Sequence, residues 1–212
     1  MSINLNKKTG INLTKGGSIS LEKSGKQLDE VCIGMNWGGI QKKMFFGLFN
    51  APTVSVDLDG SVAMFNQNGI LLDMVWFRQL ISIDYAVHHS GDDRTGDTAK
   101  ADDIDNEIIQ LNLRKINPDV HQIFFFLNSF KKQSFSEIPY AKIRVFEGNT
   151  QEVKEVLATF NLASEPAFAG KVGMIMGKLV RTRSSWEFKA IGEPINTFEP
   201  NSTAELIAKN YL

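Results

Sequence analysis

The feature that most constrains this chain is a long succession of short segments in which apolar and polar residues alternate. Ile109-Gln-Leu111-Asn-Leu113 is one example. A period of two places every second side chain on the same face of an extended strand. Ten further or overlapping segments read as strands, at 28–35, 53–58, 61–65, 71–78, 108–113, 122–128, 142–146, 153–160, 171–181 and 186–191. Most are bounded by Gly, Asn, Asp or Pro, and aromatic and β-branched residues recur in them. Residues 155–160 have helical propensity as well, but the segment is short. The best helix candidate is 203–209, with Asn201 or Ser202 as its N-cap. So many strands with so little helix predict an all-β fold. We expect an antiparallel β-sandwich of two sheets with a short C-terminal helix, with a barrel as the structural alternative.

Three units near the start repeat every eight residues: Ile3-Asn-Leu5-Asn-Lys7, Ile11-Asn-Leu13-Thr-Lys15 and Ile19-Ser-Leu21-Glu-Lys23. Three units are too few for a solenoid, so they read as short strands or as one strand with a ragged extension. No Ser/Gly/Pro-rich linker divides the 212 residues, which predicts one domain over 1–212. Residues 1–16 form a strand-like extension of it, and 193–212 a C-terminal tail. A hydrophobic share of 42%, with fifteen Phe, supplies a substantial core. A net charge of −1 gives no general reason to expect nucleic-acid binding. No apolar run reaches signal-peptide or membrane-span length, so the expectation is a soluble cytoplasmic protein. The single cysteine, Cys32, excludes an internal disulfide and reads as a small core residue.

Charge is unevenly distributed. Residues 88–107, HHSGDDRTGDTAKADDIDNE, hold seven carboxylates: Asp92, Asp93, Asp97, Asp102, Asp103, Asp105 and Glu107. Only Arg94 and Lys100 oppose them, a local net of −5. Crowded carboxylates become favourable when a cation neutralises them, and Ca²⁺ takes roughly 6–8 oxygen ligands. Gly91 and Gly96 allow the backbone to turn around an ion. The segment is not an EF-hand, because counting from Asp93 the sixth position is Thr98 rather than Gly. No Cys/His spacing favours zinc. His88 and His89 would point to opposite faces of a strand and read as surface or half-buried residues. A solvated acidic loop tip is the plainer alternative.

A second acidic pair favours the metal reading. In TVSVDLDG, Val54, Val56 and Leu58 alternate with Ser55, Asp57 and Asp59, so both carboxylates share the face opposite the apolar one. Asp103, Asp105 and Glu107 have the same spacing. Two such ladders at one end of a sandwich could hold one or two ions. Nine carboxylates exceed the charge of two divalent ions, so not all would be direct ligands.

HSGDDRTGD leading into DNEIIQLNL resembles the signature of the tellurium-resistance TerD-like family. Other landmarks agree: GGSISLEK, GMNWG at 34–38, VDLDGS at 56–61, LDMVWFRQL at 72–80, IPYAKIRVFEG at 138–148 and WEFKAIG at 186–192. The resemblance runs from about residue 17 to 192 and is nearest the TerZ/TerX-type branch through WFRQL and FFFLNSF. It implies a β-sandwich with an acidic, calcium-binding end, association with stress and tellurite resistance, and no established enzymatic activity. Asp57 and Asp59 match the family's DLD positions, and Asp92, Asp93, Asp105 and Glu107 its acidic loop. Ser55 stands where members often carry an acid, and Asn36-Trp37-Gly38 replaces a GWD-type tripeptide. Asp97, Asp102 and Asp103 lie in or beside extra loop length.

Between GMNWG and Asp57, Lys42 and Lys43 precede Met44, Phe45, Phe46, Leu48 and Phe49. Residues 42–49 could meet a membrane surface next to bound calcium, or fold back as a cap on the core. The expected function is that of a calcium-binding, non-catalytic stress-response protein. It would act through calcium-dependent association with other stress-resistance proteins or with the inner membrane surface. The alternative is a metal-dependent hydrolase using the same carboxylates. Against it, no nucleophile–base pair, phosphate loop or Gly-x-Ser-x-Gly elbow is present. His121 and Arg78 read as structural or solvated residues. Direct tellurite reduction would call on thiols, and only Cys32 is available.

Overall fold

A computed structural model describes residues 10–41, 53–97, 104–163 and 165–212. The first repeat unit (3–7), the basic and aromatic loop (42–49), and Asp102 and Asp103 lie outside the described residues. In chain order the strands are β1 (Ile11–Leu13), β2 (Ser18–Ser20), β3 (Glu22–Lys23), β4 (Lys26–Gln27), β5 (Glu30–Trp37), β6 (Ile40–Gln41), β7 (Thr53–Val54) and β8 (Leu58–Phe65). They continue as β9 (Leu71–Val75), β10 (Val87–His89), β11 (Glu107–Asn112), β12 (Gln122–Ser129), β13 (Tyr140–Gly148), β14 (Val153–Ala163), β15 (Gly173–Arg181) and β16 (Trp186–Ile195). One α-helix, α1 (Pro200–Asn210), follows.

Two six-stranded sheets face each other. The first has the order β1-β14-β13-β5-β11-β10 and the second β2-β16-β15-β12-β8-β9. Two-stranded ribbons β3-β4 and β6-β7 lie outside them. Alternation does what its period implies. Val31, Ile33, Met35 and Trp37 of β5 and Ile109 and Leu111 of β11 meet Val62, Met64, Ile123, Phe125 and Leu127 of the second sheet. The Phe124-Phe125-Phe126 run has both faces buried, because α1 covers the outside of the second sheet. Phe124 and Phe126 pack with Ala63, Phe65, Ile175, Ala204 and Ile207. A continuous apolar strand is what burial on two faces requires.

One ambiguity is resolved in favour of strand, and two details differ from the sequence expectation. β14 is strand throughout, helical propensity at 155–160 notwithstanding. Ladder pairing with β13 and burial of Ala158 and Phe160 override that preference. β1 pairs with β14 in parallel, so the sandwich is not purely antiparallel. The repeat units at Ile11 and Ile19 thus become edge strands of different sheets, β2 pairing with β16. The chain crosses between the sheets at Gly16, whose φ of +82° suits glycine. Finally, α1 begins at Pro200 with Glu199 as N-cap, and neither Asn201 nor Ser202 caps it. Proline's fixed φ suits the first helical position. Thr203 is held instead by Asn128, whose Nδ2 donates to its hydroxyl at 2.9 Å.

One end of the sandwich is closed by Trp37, which is fully buried. Its indole Nε1 donates to Val56 O at 3.0 Å. Its backbone O accepts from Asp97 N at 3.0 Å, and Val56 N donates to Thr95 O at 3.0 Å. The stretch before β8 and the loop before β11 are thereby fixed to the end of β5 and to each other. Glu107 lies beneath them, opposite Met35, with its carboxylate against Gly60. A Cβ at Gly60 would overlap that carboxylate and the end of Met35. Gly60→Ala is therefore expected to destabilise the fold by about 1–3 kcal/mol, the usual cost of overpacking, measured by urea denaturation.

Candidate metal centre

Asp57, Asp59 and Asp92 converge, each offering one carboxylate oxygen within 4.8 Å of the others. Val56 and Leu58 point into the core, which turns Asp57 and Asp59 the other way, as alternation implies. Asp92 is delivered by the turn after β10 and remains the exposed member. The cluster is electrostatically uncomfortable. Burial, then Glu107, Asp57 and Asp92, push the Asp59 carboxyl up to about 7. Burial also raises Asp57, against the pull of Lys131, whose Nζ is 3.6 Å from Asp57 Oδ2. Arg94 Nε sits 3.0 Å from Asp92 Oδ2. Both cations are carried on well-exposed side chains, and such pairs contribute little.

Glu107 is the floor of the site. It is fully buried, and its carboxylate accepts from Gly60 N at 2.7 Å and Asp93 N at 3.2 Å. His89 Nε2 lies 3.3 Å from Glu107 Oε2 and 3.1 Å from Gly60 O. His89 Nδ1 accepts from Gly91 N at 3.0 Å, so the ring proton sits on Nε2 and is shared between Gly60 and Glu107. Burial raises the Glu107 carboxyl, opposed by the His89 and backbone hydrogen bonds. Alternation on β10 leaves His88 exposed and His89 buried. With both its nitrogens engaged, His89 is a support and not a free ligand.

The other acidic residues have different tasks. Asp93 organises its own turn, accepting from Thr95 N at 2.8 Å, Thr95 Oγ1 at 2.7 Å and Asn106 Nδ2 at 3.0 Å. Burial pushes its carboxyl up, but these hydrogen bonds outweigh it and the net shift is down. Asp97 accepts from Tyr140 Oη and Asn36 Nδ2 and bridges to Gly38. Asp105 is paired with Arg144, which donates to Asp105 Oδ2 from Nε at 2.8 Å and Nη2 at 2.7 Å. Its carboxylate lies over Gly34, where a Cβ would overlap it. Asp105 and Glu107 thus diverge despite their spacing, because β11 begins only at Glu107 and period two does not extend back to Asp105. Asn106 reads from sequence as a polar oxygen of the acidic stretch, and Trp37 and Arg144 fall within the GMNWG and IPYAKIRVFEG motifs, but no local pattern assigns any of them its supporting contact. Lys131 lies in none of these motifs.

The donor set suits a hard cation. Every group in the cluster is a carboxylate, and the neighbouring imidazole is committed. Three carboxylates supply three to six oxygens, with the exposed side open to water, as Ca²⁺ coordination requires. Asp57, Asp59 and Asp92 are the residues that would hold such an ion.

Two outcomes follow. An acid whose folded pKa is raised binds a proton in the folded state that it lacks unfolded, so stability falls as pH rises through the window between the two values. For Asp59 that window runs from the ordinary carboxylate range to about 7. The metal-free melting temperature should therefore rise on acidification from pH 8 to pH 5, by on the order of a few °C, in scanning calorimetry. Asp105→Asn should cost about 3 kcal/mol, because it leaves the buried Arg144 guanidinium without its charge partner. Titration calorimetry of that variant should find the cation stoichiometry unchanged.

The family model for the TerD domain matches residues 9–198. Tellurium resistance protein TerZ of Serratia marcescens is 32% identical over 182 residues, covering 86% of this chain and 89% of TerZ. Stress response protein SCP2 of Bacillus subtilis is 31% identical over 195 residues, covering 88% of this chain and 93% of its own. The crystal structure of a homologue of telluride resistance protein (TerD) from Streptomyces coelicolor superposes with a TM-score of 0.61. It shares 16% identity and covers 84% of this chain and 95% of its own, a likeness of fold. With a match over nearly its whole length and relatives above 30% identity, the chain belongs to the TerD domain family.

Proposed function

We propose that this chain is a calcium-binding, non-catalytic stress-response protein of the tellurium-resistance type. The observation that carries the calcium reading is the convergence of Asp57, Asp59 and Asp92, with Asp59 pushed up to about 7 by burial and by the neighbouring carboxylates. A divalent cation would relieve that repulsion. It would also tie the stretch before β8 to the loop after β10, since Asp57 and Asp92 belong to different segments. The stress-resistance reading draws on relatives named for tellurium resistance and stress response. The non-catalytic reading is supported by His89, the histidine nearest the cluster, whose ring nitrogens are both occupied by the protein's own groups. On this reading the ion orders the acidic end into a contact surface for partner proteins, and the protein acts by association.

No helix among the described residues is long and apolar enough to cross a membrane. On this reading residues 42–49 supply a peripheral, calcium-dependent contact with the inner membrane surface.

Isothermal titration of the chelator-treated protein tests the reading. Calcium should bind with micromolar-to-millimolar affinity, magnesium more weakly, and the melting temperature should rise with calcium excess. Asp57→Ala should abolish most of the heat. Asp59→Asn should do the same while leaving the metal-free protein as stable as, or more stable than, the parent, because it removes a repelled charge. An unchanged melting curve at millimolar calcium contradicts the proposal.

A further inference from the structure

The connection between β9 and β10 carries a concentration of apolar surface. Of the ten exposed large apolar side chains among the described residues, four lie in this connection, Leu80, Ile81, Ile83 and Tyr85, and two more, Ile70 and Leu71, stand at the start of β9. Ile83 and Tyr85, at 75% and 69%, are the two most exposed. Scattered apolar residues on a surface need no explanation, but a contiguous group of them marks a contact surface.

The segment is held firmly in this exposed form. Ser82 Oγ accepts from Val87 N at 2.9 Å, and Ile83 N donates to Asp73 Oδ2 at 2.6 Å. Asn117 N donates to Asp84 Oδ2 at 2.8 Å. Tyr85 has a φ of +58°, a conformation that an aromatic residue adopts only when its surroundings impose it. The hydrogen bonds around it therefore present Ile83 and Tyr85 outward against a local conformational cost.

Charge in the segment is sorted. Its two carboxylates are half-buried and hydrogen-bonded within the chain, Asp73 accepting from Met74 N, Gln79 Nε2 and Ile83 N, and Asp84 from Ser82 Oγ, Ala86 N and Asn117 N. Arg78 is exposed, its guanidinium 5.6 Å from the Trp76 ring centre and 5.3 Å from that of Phe77. No carboxylate among the described residues forms an ion pair with it. Solvent therefore meets apolar side chains, two half-buried aromatics and a cation.

The outer backbone of β10 is already used, His89 N donating to Leu80 O at 2.8 Å and Ser82 N to Val87 O at 3.0 Å. A partner cannot add a strand there, so contact must run through side chains. Self-association through this surface would bring Arg78 towards its own copy, where the segment's two carboxylates are already engaged by donors of their own chain. A surface that is apolar inside, anionic outside and free of backbone partners fits all three observations. We propose that the β9–β10 connection is a peripheral docking surface for an anionic lipid bilayer, with Ile83 and Tyr85 seated at the headgroup boundary and Arg78 against lipid phosphate. The proposal does not depend on the calcium reading.

The test is co-sedimentation of the full chain with vesicles of phosphatidylcholine alone, or with about one-third phosphatidylglycerol, in chelator and again in calcium. The protein should pellet with the anionic vesicles in both conditions. The double variant Ile83→Ser, Tyr85→Asn should weaken this by about tenfold or more with an unchanged melting temperature. Asn is chosen because it tolerates positive φ. Ile83→Trp should bind more tightly, and Arg78→Gln should lose the preference for anionic lipid. The proposal is overturned if the parent stays in the supernatant in chelator, or if the double variant pellets like the parent, which would place the contact elsewhere. A parent that dimerises through these residues without pelleting would assign the surface to a second copy. A failure of calcium binding alone would leave the chelator arm intact.

Discussion

The acidic end of this molecule is organised around one buried carboxylate. Glu107 opens β11 in the first sheet and accepts from Gly60 N in the second, from Asp93 N in the loop, and meets His89 on the edge strand β10. Four segments are thereby referred to a single pair of oxygens. A charge this deep is unfavourable unless its hydrogen-bonding capacity is met, and strongly disruptive if one partner is lost. Because these partners are largely backbone groups and a histidine of fixed tautomer, the arrangement is stiff. Its cost is felt above it, where Glu107 is the largest charge contribution, after burial itself, to the raised carboxyl of Asp59.

The acidic residues therefore divide by what faces them. Asp93, Asp97 and Asp105 have donors from the chain itself and serve to position the loop and the sheet. Asp57, Asp59 and Asp92 face one another, with the exposed Lys131 and Arg94 as their ion-pair partners among the described residues. Folding stability set aside in one place in this way is characteristic of binding sites. The same sorting, with opposite sign, occurs on the β9–β10 connection. There the carboxylates are satisfied internally and the apolar groups and Arg78 are left outward. The two surfaces differ in chemistry, which is why their ligands can be argued separately.

Much of this was legible in the chain. The DLD alternation correctly set Asp57 and Asp59 on the polar side, since Val56 and Leu58 could only go inward. The adjacent His88 and His89 had to part, and did. The same period-two argument failed for Asp105 and Glu107 because it presumes a strand, and the ladder with β5 starts only at Glu107. Helical propensity at 155–160 was outweighed by a long ladder with β13, a contact far along the chain that no local preference records.

The sequence by itself determined the class of fold, the layering of apolar residues, the family and the concentration of acid in two segments. These are properties of local pattern and composition, which the strand period converts directly into faces. Tertiary structure alone decided which carboxylates meet one another and which meet Arg144, Asn106 or a backbone N–H. That choice depends on which strands lie side by side, and on where glycines at 34 and 60 leave room for a side chain to cross.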